Sequence, residues 1–418
     1  MTPIFNEYIT FLKSKTNELD FLKQGYYWQD NTIIKAFTSK GELIKIARLY
    51  YDDKLKLSIK FYDSDINDIE SWEDTLKRNK AHIDEIEFES LELIKKSINN
   101  YKDRNLGILY SSGKDSCVLK NLVRKVNKDI PLLFNDTTLD CADTYKFIKK
   151  EDNIIKFKPT QGFYQWREQI NFVPSRFSRG CCKLFKERAM MKSLDKKAEW
   201  LFFMGMRNLE SLSRVNYGDI WKNNKWGKRK WDAVLPIRKW SDLDIWLYIF
   251  KENIPFNTKY KKGYNRVGCA IACPYYSKTT WALDEYWYPK SFNRWQNILK
   301  KDFRKNNKDL IMNCTEEEYL TCWNGGVYRE EPTEEVISQF AERNDLTYDI
   351  AKNYFNHKCR ICGKKIKDKE IIGLNMKLNG RDIDELYCKK CFLEKMDINE
   401  ETYNEYIKTF KEQGCKLL

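Results

Sequence analysis

Between residues 105 and 275, short apolar runs alternate with helical patterns, and no other feature restricts the possible folds of this chain as much. Leu106–Tyr110, Ile130–Phe134, Ile154–Phe157 and Trp200–Met204 read as strands, and Cys117–Val126 and Ala142–Lys150 as helices between them. Alternation of this kind builds parallel βαβ units with helices on both sheet faces. The expected class is α/β, with a doubly wound, mostly parallel sheet. Length allows it, since 418 residues give room for two or three domains.

The flanks follow other patterns. Residues 1–30 read as a helical lead-in, and residues 31–63 as short β runs broken at Ser39-Lys40-Gly41 and Asp52-Asp53, as hairpins require. Residues 68–104 carry Ile83, Ile86, Leu91, Ile94 and Ile98 at helical spacing. The expected layout is an N-terminal α+β region (1–100), a core domain (101–276), a helical, Trp-rich region (277–350) and a cysteine-paired module with a helical tail (351–418).

Hydrophobic residues at 42% and aromatics at 15% exclude a disordered chain. No apolar run of about 18 residues exists, and the N-terminal segment lacks a basic region followed by an apolar one. A cytoplasmic protein without a membrane partner is expected. Lys and Arg number 75 against 61 Asp and Glu, a net charge of +14. That excess suits a polyanion such as nucleic acid or a nucleotide, and equally a solvated basic surface. With 13 cysteines and 2 histidines, metal or redox chemistry through thiols is favoured over histidine catalysis.

The sharpest motif is Tyr110-Ser-Ser-Gly-Lys-Asp-Ser116, between a strand and a helix start. Such a turn offers backbone N–H groups and a helix N-terminus to an anion. Gly113 permits close backbone approach, Lys114 neutralises phosphate charge, and Ser111, Ser112 and Ser116 donate hydrogen bonds. The Walker A spacing is absent. Read alone, the turn is also compatible with an ordinary βα connection.

This stretch resembles the PP-loop of ATP pyrophosphatases, and the motifs after it resemble, in order, the phosphoadenosine phosphosulfate (PAPS) reductase family. They are Phe134-Asn-Asp-Thr-Thr-Leu-Asp-Cys-Ala-Asp-Thr-Tyr145, Gly180-Cys-Cys-Lys-Leu-Phe-Lys186, Gly205-Met-Arg-Asn-Leu-Glu-Ser-Leu-Ser-Arg214, Leu235-Pro-Ile-Arg-Lys-Trp240 with Asp244-Ile-Trp246, and Ile254-Pro-Phe-Asn257 with Gly263-Tyr-Asn-Arg-Val-Gly-Cys-Ala-Ile-Ala-Cys273. The resemblance spans about residues 105–276. It implies an adenine nucleotide alpha hydrolase-like fold that binds ATP and Mg²⁺, with Ser111, Ser112, Gly113, Lys114, Asp115, Ser116, Gly205, Arg207 and Arg214 at the nucleotide. Lys114, Asp115 and Asp136 become the catalytic candidates. Asp115 or Asp136 would hold the metal, or simply cap a helix. Arg207 and Arg214 would grip phosphate or sulfate, or form surface pairs with Glu210.

Two cysteine clusters have different expected roles. In relatives that use adenylyl sulfate, and in similar DNA phosphorothioation sulfurtransferases, a Cys-Cys pair and a later pair bind a [4Fe–4S] cluster. By that resemblance Cys181, Cys182, Cys269 and Cys273 are its ligands, although the second pair here is C-x-x-x-C rather than C-x-x-C. Buried packing is the alternative. Independently of any family, Cys359-Arg-Ile-Cys362 and Cys388-Lys-Lys-Cys391 have the spacing of a closed, tetrahedral Zn²⁺ site. Lys358, Arg360, Lys364, Lys365, Lys389 and Lys390 surround it and suit nucleic acid, or a ribbon used only for packing. Core packing is expected for Cys117, Cys141, Cys314 and Cys322. Cys415 lacks the E-C-G-x-H context of a reductase nucleophile.

Three functions follow. The retained Gly113-Lys114-Asp115-Ser116 resembles ATP-cleaving relatives. It points to cleavage of ATP to AMP and pyrophosphate, activating a substrate such as DNA or tRNA for sulfur transfer from a sulfur-donor protein. The alternatives are an adenylyl-sulfate or phosphoadenylyl-sulfate reductase, and a non-enzymatic nucleotide-binding protein.

Overall fold

The computed structural model describes residues 1–175, 180–195, 197–210, 217–222, 230–269, 271, 273–311, 314–323, 333–343, 347–348, 352, 359–366, 368–378 and 386–412. The chain divides into two compact units. Met1–Phe163, Lys183–Ala270 and Ser277–Pro289 form the first, and Tyr164–Cys182, Ile271–Tyr276 and Lys290–Leu418 the second.

The first unit contains two sheets. Strands β1 (Thr2–Pro3), β2 (Tyr27–Asp30), β3 (Ile33–Phe37), β4 (Leu43–Tyr51) and β5 (Leu57–Phe61) pair antiparallel in sequence order. Both hairpin turns fall where the sequence placed them. Gly41 takes φ +82° in one, and the Asp52 carboxylate accepts the Lys54 and Lys56 amides in the other. Helix α1 (Asn6–Lys13) buries Phe11 and Leu12 with Ile34, Ala47 and Leu49 of this sheet. Helix α2 (Trp72–Asn100) follows, its first turn capped by the Ser71 hydroxyl, which accepts the Asp74 amide.

The second sheet holds β6 (Asn105–Tyr110), β7 (Leu132–Asn135), β8 (Ile154–Phe157), β9 (Trp200–Met204), β10 (Ile220–Lys222) and β11 (Trp231–Val234), in the order β10-β11-β9-β6-β7-β8. All neighbours are parallel except β10 and β11. This is the expected α/β sheet, with an added edge pair. Ile220-Trp221-Lys222 and Trp231-Asp232-Ala233-Val234 are too short and mixed to show a strand period, so the sequence did not reveal them.

Both faces of this sheet are covered. Ile108, Leu132, Phe134, Leu201 and Phe203 face α2, α3 (Lys114–Val126) and a later helix at Asp242–Lys251. Alternate residues Leu133, Phe202 and Ala233 face Ala189 and Met190 on the opposite side. Period-two alternation within apolar strands thus feeds two cores, as a doubly wound sheet requires. Helix α3 begins three residues before the apolar period does, at Lys114. Its first turn is Lys-Asp-Ser, which no hydrophobic pattern can reveal. The chain then forms α4 (Ala142–Ile148), α5 (Phe163–Gln169), α6 (Arg188–Ser193), α7 (Asp242–Lys251) and α8 (Lys278–Trp287).

In the second unit, α9 (Pro289–Lys305) buries Phe292, Trp295 and Leu299, and Trp295 meets Trp323 edge-on at 5.4 Å. Further helices at Lys369–Leu378, Lys389–Met396 and Glu400–Glu412 enclose a small core of Ile371, Leu374, Leu386, Phe392, Ile407 and Phe410. Among the described residues, no helix is long and apolar enough to cross a membrane.

Candidate active site

The turn after β6 is sharply bent. Ser112 is fully buried with φ +59°, a conformation costly for any residue but glycine. Its hydroxyl accepts from the Asn257 amide at 3.3 Å, and the same Asn257 Nδ2 reaches Thr144 Oγ1 at 3.1 Å. Asn257 is itself fully buried and so ties the turn to α4. The strain sits on Ser112 rather than on Gly113, whose φ of −73° is ordinary. Gly113 N-caps α3, and a Cβ there would lie 3.3 Å from Ser111 Oγ. Ser116 Oγ donates to the Gly113 carbonyl at 2.9 Å and accepts the Ser111 amide at 3.3 Å, locking the turn. The buried Tyr260 hydroxyl accepts the Lys114 amide at 2.9 Å, and burial pushes its pKa up to about 12, so it remains a neutral phenol.

Lys114 and Arg207 converge on two carboxylates. Lys114 Nζ lies 3.0 Å from Asp115 and 2.9 Å from Asp242. Arg207 Nε lies 2.5 Å from Asp115 Oδ1, its Nη2 2.7 Å from Asp242 Oδ1, and its Nη1 donates to the Trp240 carbonyl at 3.2 Å. Burial alone would depress Lys114, but Asp115 and Asp242 hold its pKa above the ordinary lysine value. Burial likewise would raise Asp242. Lys114, the Met1 amino group and Arg207 instead hold it well below the usual carboxylate range. Lys114 is therefore charged at any working pH, as a guanidinium such as Arg207 always is. The closeness of the two segments depends on Gly205. A Cβ there would stand 3.2 Å from the Asp115 carbonyl oxygen and 3.3 Å from its carbon.

Asp242, Tyr260 and Asn257 were not singled out as site residues from sequence. Asn257 lies in the I-P-x-N motif and offered the one signal. Arg207 pairs with Asp115 and Asp242, and Arg214 lies outside the described residues. Asp115 has both oxygens engaged by cations, so its geometry suits a charge network better than a metal ligand. Asp136 lies on the next βα turn. Its Oδ1 accepts from Tyr145 at 2.8 Å and from the Thr138 amide at 3.0 Å, while Lys158 lies 3.5 Å from its Oδ2. Its neighbour Asp140 has a pKa raised by burial, against the pull of Thr137 and Lys186.

Cys181, Cys269 and Cys273 are buried and Cys182 is half-buried. Cys181, Cys182 and Cys273 belong to the second unit and Cys269 to the first, where it bridges to Asp140. Cys359, Cys362, Cys388 and Cys391 do come together, with all four sulfurs within 4.8 Å of one another. Cys362 and Cys388 are 3.7 Å apart, close to the ~3.8 Å edge of a tetrahedron with ~2.3 Å metal–sulfur bonds. Gly363, at φ +69°, lets the first knuckle close, its N–H donating a hydrogen bond to the Cys359 carbonyl at 2.8 Å. Burial would push the Cys359 thiol up, but the N–H groups of Cys362, Cys388 and Ile361 bring it down to about 6. Buried Asn375 fixes the second knuckle, accepting the Tyr387 amide at 2.9 Å and donating to its carbonyl at 2.8 Å. The group could hold a metal ion.

Sheet order and turn define a doubly wound α/β domain with a charged βα loop. Residues 105–274 match the phosphoadenosine phosphosulfate reductase domain. The chain is 30% identical over 188 residues to adenosine 5'-phosphosulfate reductase 1 of Bacillus subtilis, covering 43% of this chain and 78% of that one. It is also 30% identical over 269 residues to an uncharacterized protein of Methanocaldococcus jannaschii, covering 63% of this chain and 61% of that one. A second such protein matches at 30% over 274 residues, covering 64% and 56%. This chain thus spans about three-fifths of the length of the two archaeal relatives. A solved PAPS reductase from Candida auris aligns with TM-score 0.35 and 17% identity, covering 46% of this chain and 95% of that one. The chain belongs to the PAPS reductase family.

Proposed function

We propose that the first unit binds ATP and cleaves it to AMP and pyrophosphate, activating a nucleic acid for sulfur transfer. The observation that carries this reading is the paired burial of Lys114 and Arg207, both charged, beside a strained Ser-Ser-Gly turn that opens a helix. A substrate oxygen would attack the α-phosphorus as the bond to pyrophosphate breaks, and a sulfur nucleophile would later displace AMP. Lys114, Arg207 and the helix N-terminus stabilise the charge that develops on the leaving pyrophosphate. Asp242 orients both cations, and Tyr260 fixes the first turn of α3. Asp136, on the next βα turn, would help hold Mg²⁺, which when bound neutralises phosphate oxygens. Radiolabelled ATP tests the reading: the chain should release AMP and pyrophosphate, and Lys114→Ala should release them far more slowly. Release of ADP, or no turnover with any nucleic acid, would refute it.

A second reading, a sulfonucleotide reductase, draws support from the 78% coverage of the Bacillus subtilis enzyme. Sulfite release from adenylyl sulfate with a thiol donor would establish it. For the four C-terminal cysteines, the tetrahedral spacing supports Zn²⁺ in a structural role, at about one ion per chain. The iron–sulfur assignment of Cys181, Cys182, Cys269 and Cys273 rests on their motifs. Colourless protein, free of iron and sulfide after anaerobic purification, would refute it.

A further inference from the structure

Helix α9 is two-faced. Phe292, Trp295, Ile298, Leu299 and Asp302 are buried, and every Lys and Arg of the helix is exposed. Lys290, Arg294, Asn297, Lys301 and Lys305 recur at helical spacing and share one stripe, about 22 Å long at ~1.5 Å per residue. The stripe borders a groove of about 450 Å³ lined by Lys290, Asn293, Arg294, Asn297 and Lys301, with Ile298 and one acid, Glu168. Arg304 pairs with Glu316 at 2.9 Å. Among the described residues, Lys290, Arg294 and Lys301 have no such carboxylate partner. The Arg294 guanidinium carbon sits over the Tyr164 ring, 3.8 Å from its centroid. A cation held over a ring in this way is attracted by the ring's π face and can still donate N–H groups to another ligand.

We infer that this groove is a docking track for the phosphodiester backbone of a nucleic acid. A solvated basic helix would be expected to carry interspersed acids on its outer face, and α9 carries none there. A single small anion would use one cation cluster. A stripe of this length spans about six base steps at the ~3.4 Å axial rise of one duplex strand, and so several successive phosphates. Asn293 and Asn297 supply the neutral donors that commonly accompany Lys and Arg at phosphates. The inference deepens the proposed function and takes its substrate class from that reading, but the binding itself needs no ATP.

The test is fluorescence anisotropy of the full chain with labelled 20-nucleotide RNA, the matching single-stranded DNA, and duplex DNA, from 50 to 200 mM salt and without ATP. Joint Lys290→Glu, Arg294→Glu and Lys301→Glu should weaken binding at least tenfold on the preferred strand. It should also lower the slope of log affinity against log salt by about two to three. A control set at exposed positions of the first unit, Lys23→Glu, Lys40→Glu and Lys54→Glu, makes the same change in net charge and should alter affinity less than about twofold. A milder set, Lys290→Gln, Arg294→Gln and Lys301→Gln, gives the same direction should the first set fail to fold. Equal weakening by groove and control sets, no weakening by either groove set, or competition by polyglutamate as strong as by unlabelled RNA would each overturn the inference. Loss of ATP cleavage with intact binding would refute the proposed reaction and leave the groove standing.

Discussion

Replacement of Gly205 by alanine is the most direct probe of the site, because it changes one methyl group and no charge. The added Cβ would meet the Asp115 carbonyl oxygen at 3.2 Å and its carbon at 3.3 Å, where ordinary contact begins at 3.4 Å. These are backbone atoms at the start of α3 and cannot rotate away, so the two segments must part by a few tenths of an ångström. Overpacking of this kind costs about 1–3 kcal/mol, a fall of roughly 3–10 °C in Tm for a domain of this size. The same parting stretches the contact between Arg207 Nε and Asp115 Oδ1, now 2.5 Å, and loosens the cation pair. Nucleotide affinity should drop roughly tenfold, since sub-ångström displacement of positioning groups is felt directly. Gly162→Ala is the control: its nearest neighbour would be Thr138 Oγ1 at 3.8 Å, so its stability should stay within about 0.5 kcal/mol of the parent. Thermal melts and calorimetric titration with a non-hydrolysable ATP analogue read both effects. If the two alanine variants melt and bind alike, the close approach of Gly205 to α3 does not shape the site.

Other expectations follow from the same geometry. Lys114→Ala should lower AMP formation by about 10²–10³-fold, the usual cost of removing one transition-state charge donor, while far-ultraviolet circular dichroism is unchanged. Asp284 is buried and its carboxyl is pushed up to about 6 by burial, against Lys259 and Tyr264. The folded chain therefore keeps a proton that the unfolded chain has lost, so stability falls as pH rises from about 4 to about 6 and is level above. Asp284→Asn should remove that decline, gaining up to about 3 kcal/mol on the parent between pH 4 and pH 7 in denaturant titrations. If the four C-terminal cysteines hold Zn²⁺ as proposed, a strong chelator should release it and abolish hydrogen-exchange protection in Lys389–Met396 while β6–β9 stay protected. Asn375→Ala removes its two hydrogen bonds to the Tyr387 backbone, and should weaken retention of added Zn²⁺ in equilibrium dialysis without altering the parallel sheet.

The strand–helix alternation was legible because each βα unit buries a continuous apolar run, and the four core strands lie where those runs lie. The meeting of the two C-x₂-C knuckles was legible because paired cysteines at this spacing are what a tetrahedral site would demand of a short segment, and the four sulfurs do lie within 4.8 Å of one another. What sequence could not give was everything that depends on which charges meet. Asp242 carries no motif, and its importance comes from the fold bringing α7 beside α3, where Lys114 and Arg207 need a shared anion. Likewise the strain at Ser112 belongs to the turn's tertiary setting, held by Asn257 from far along the chain, while Gly113 beside it is conformationally ordinary. Local periodicity records what a segment buries. Long-range packing alone decides which buried charge finds which partner.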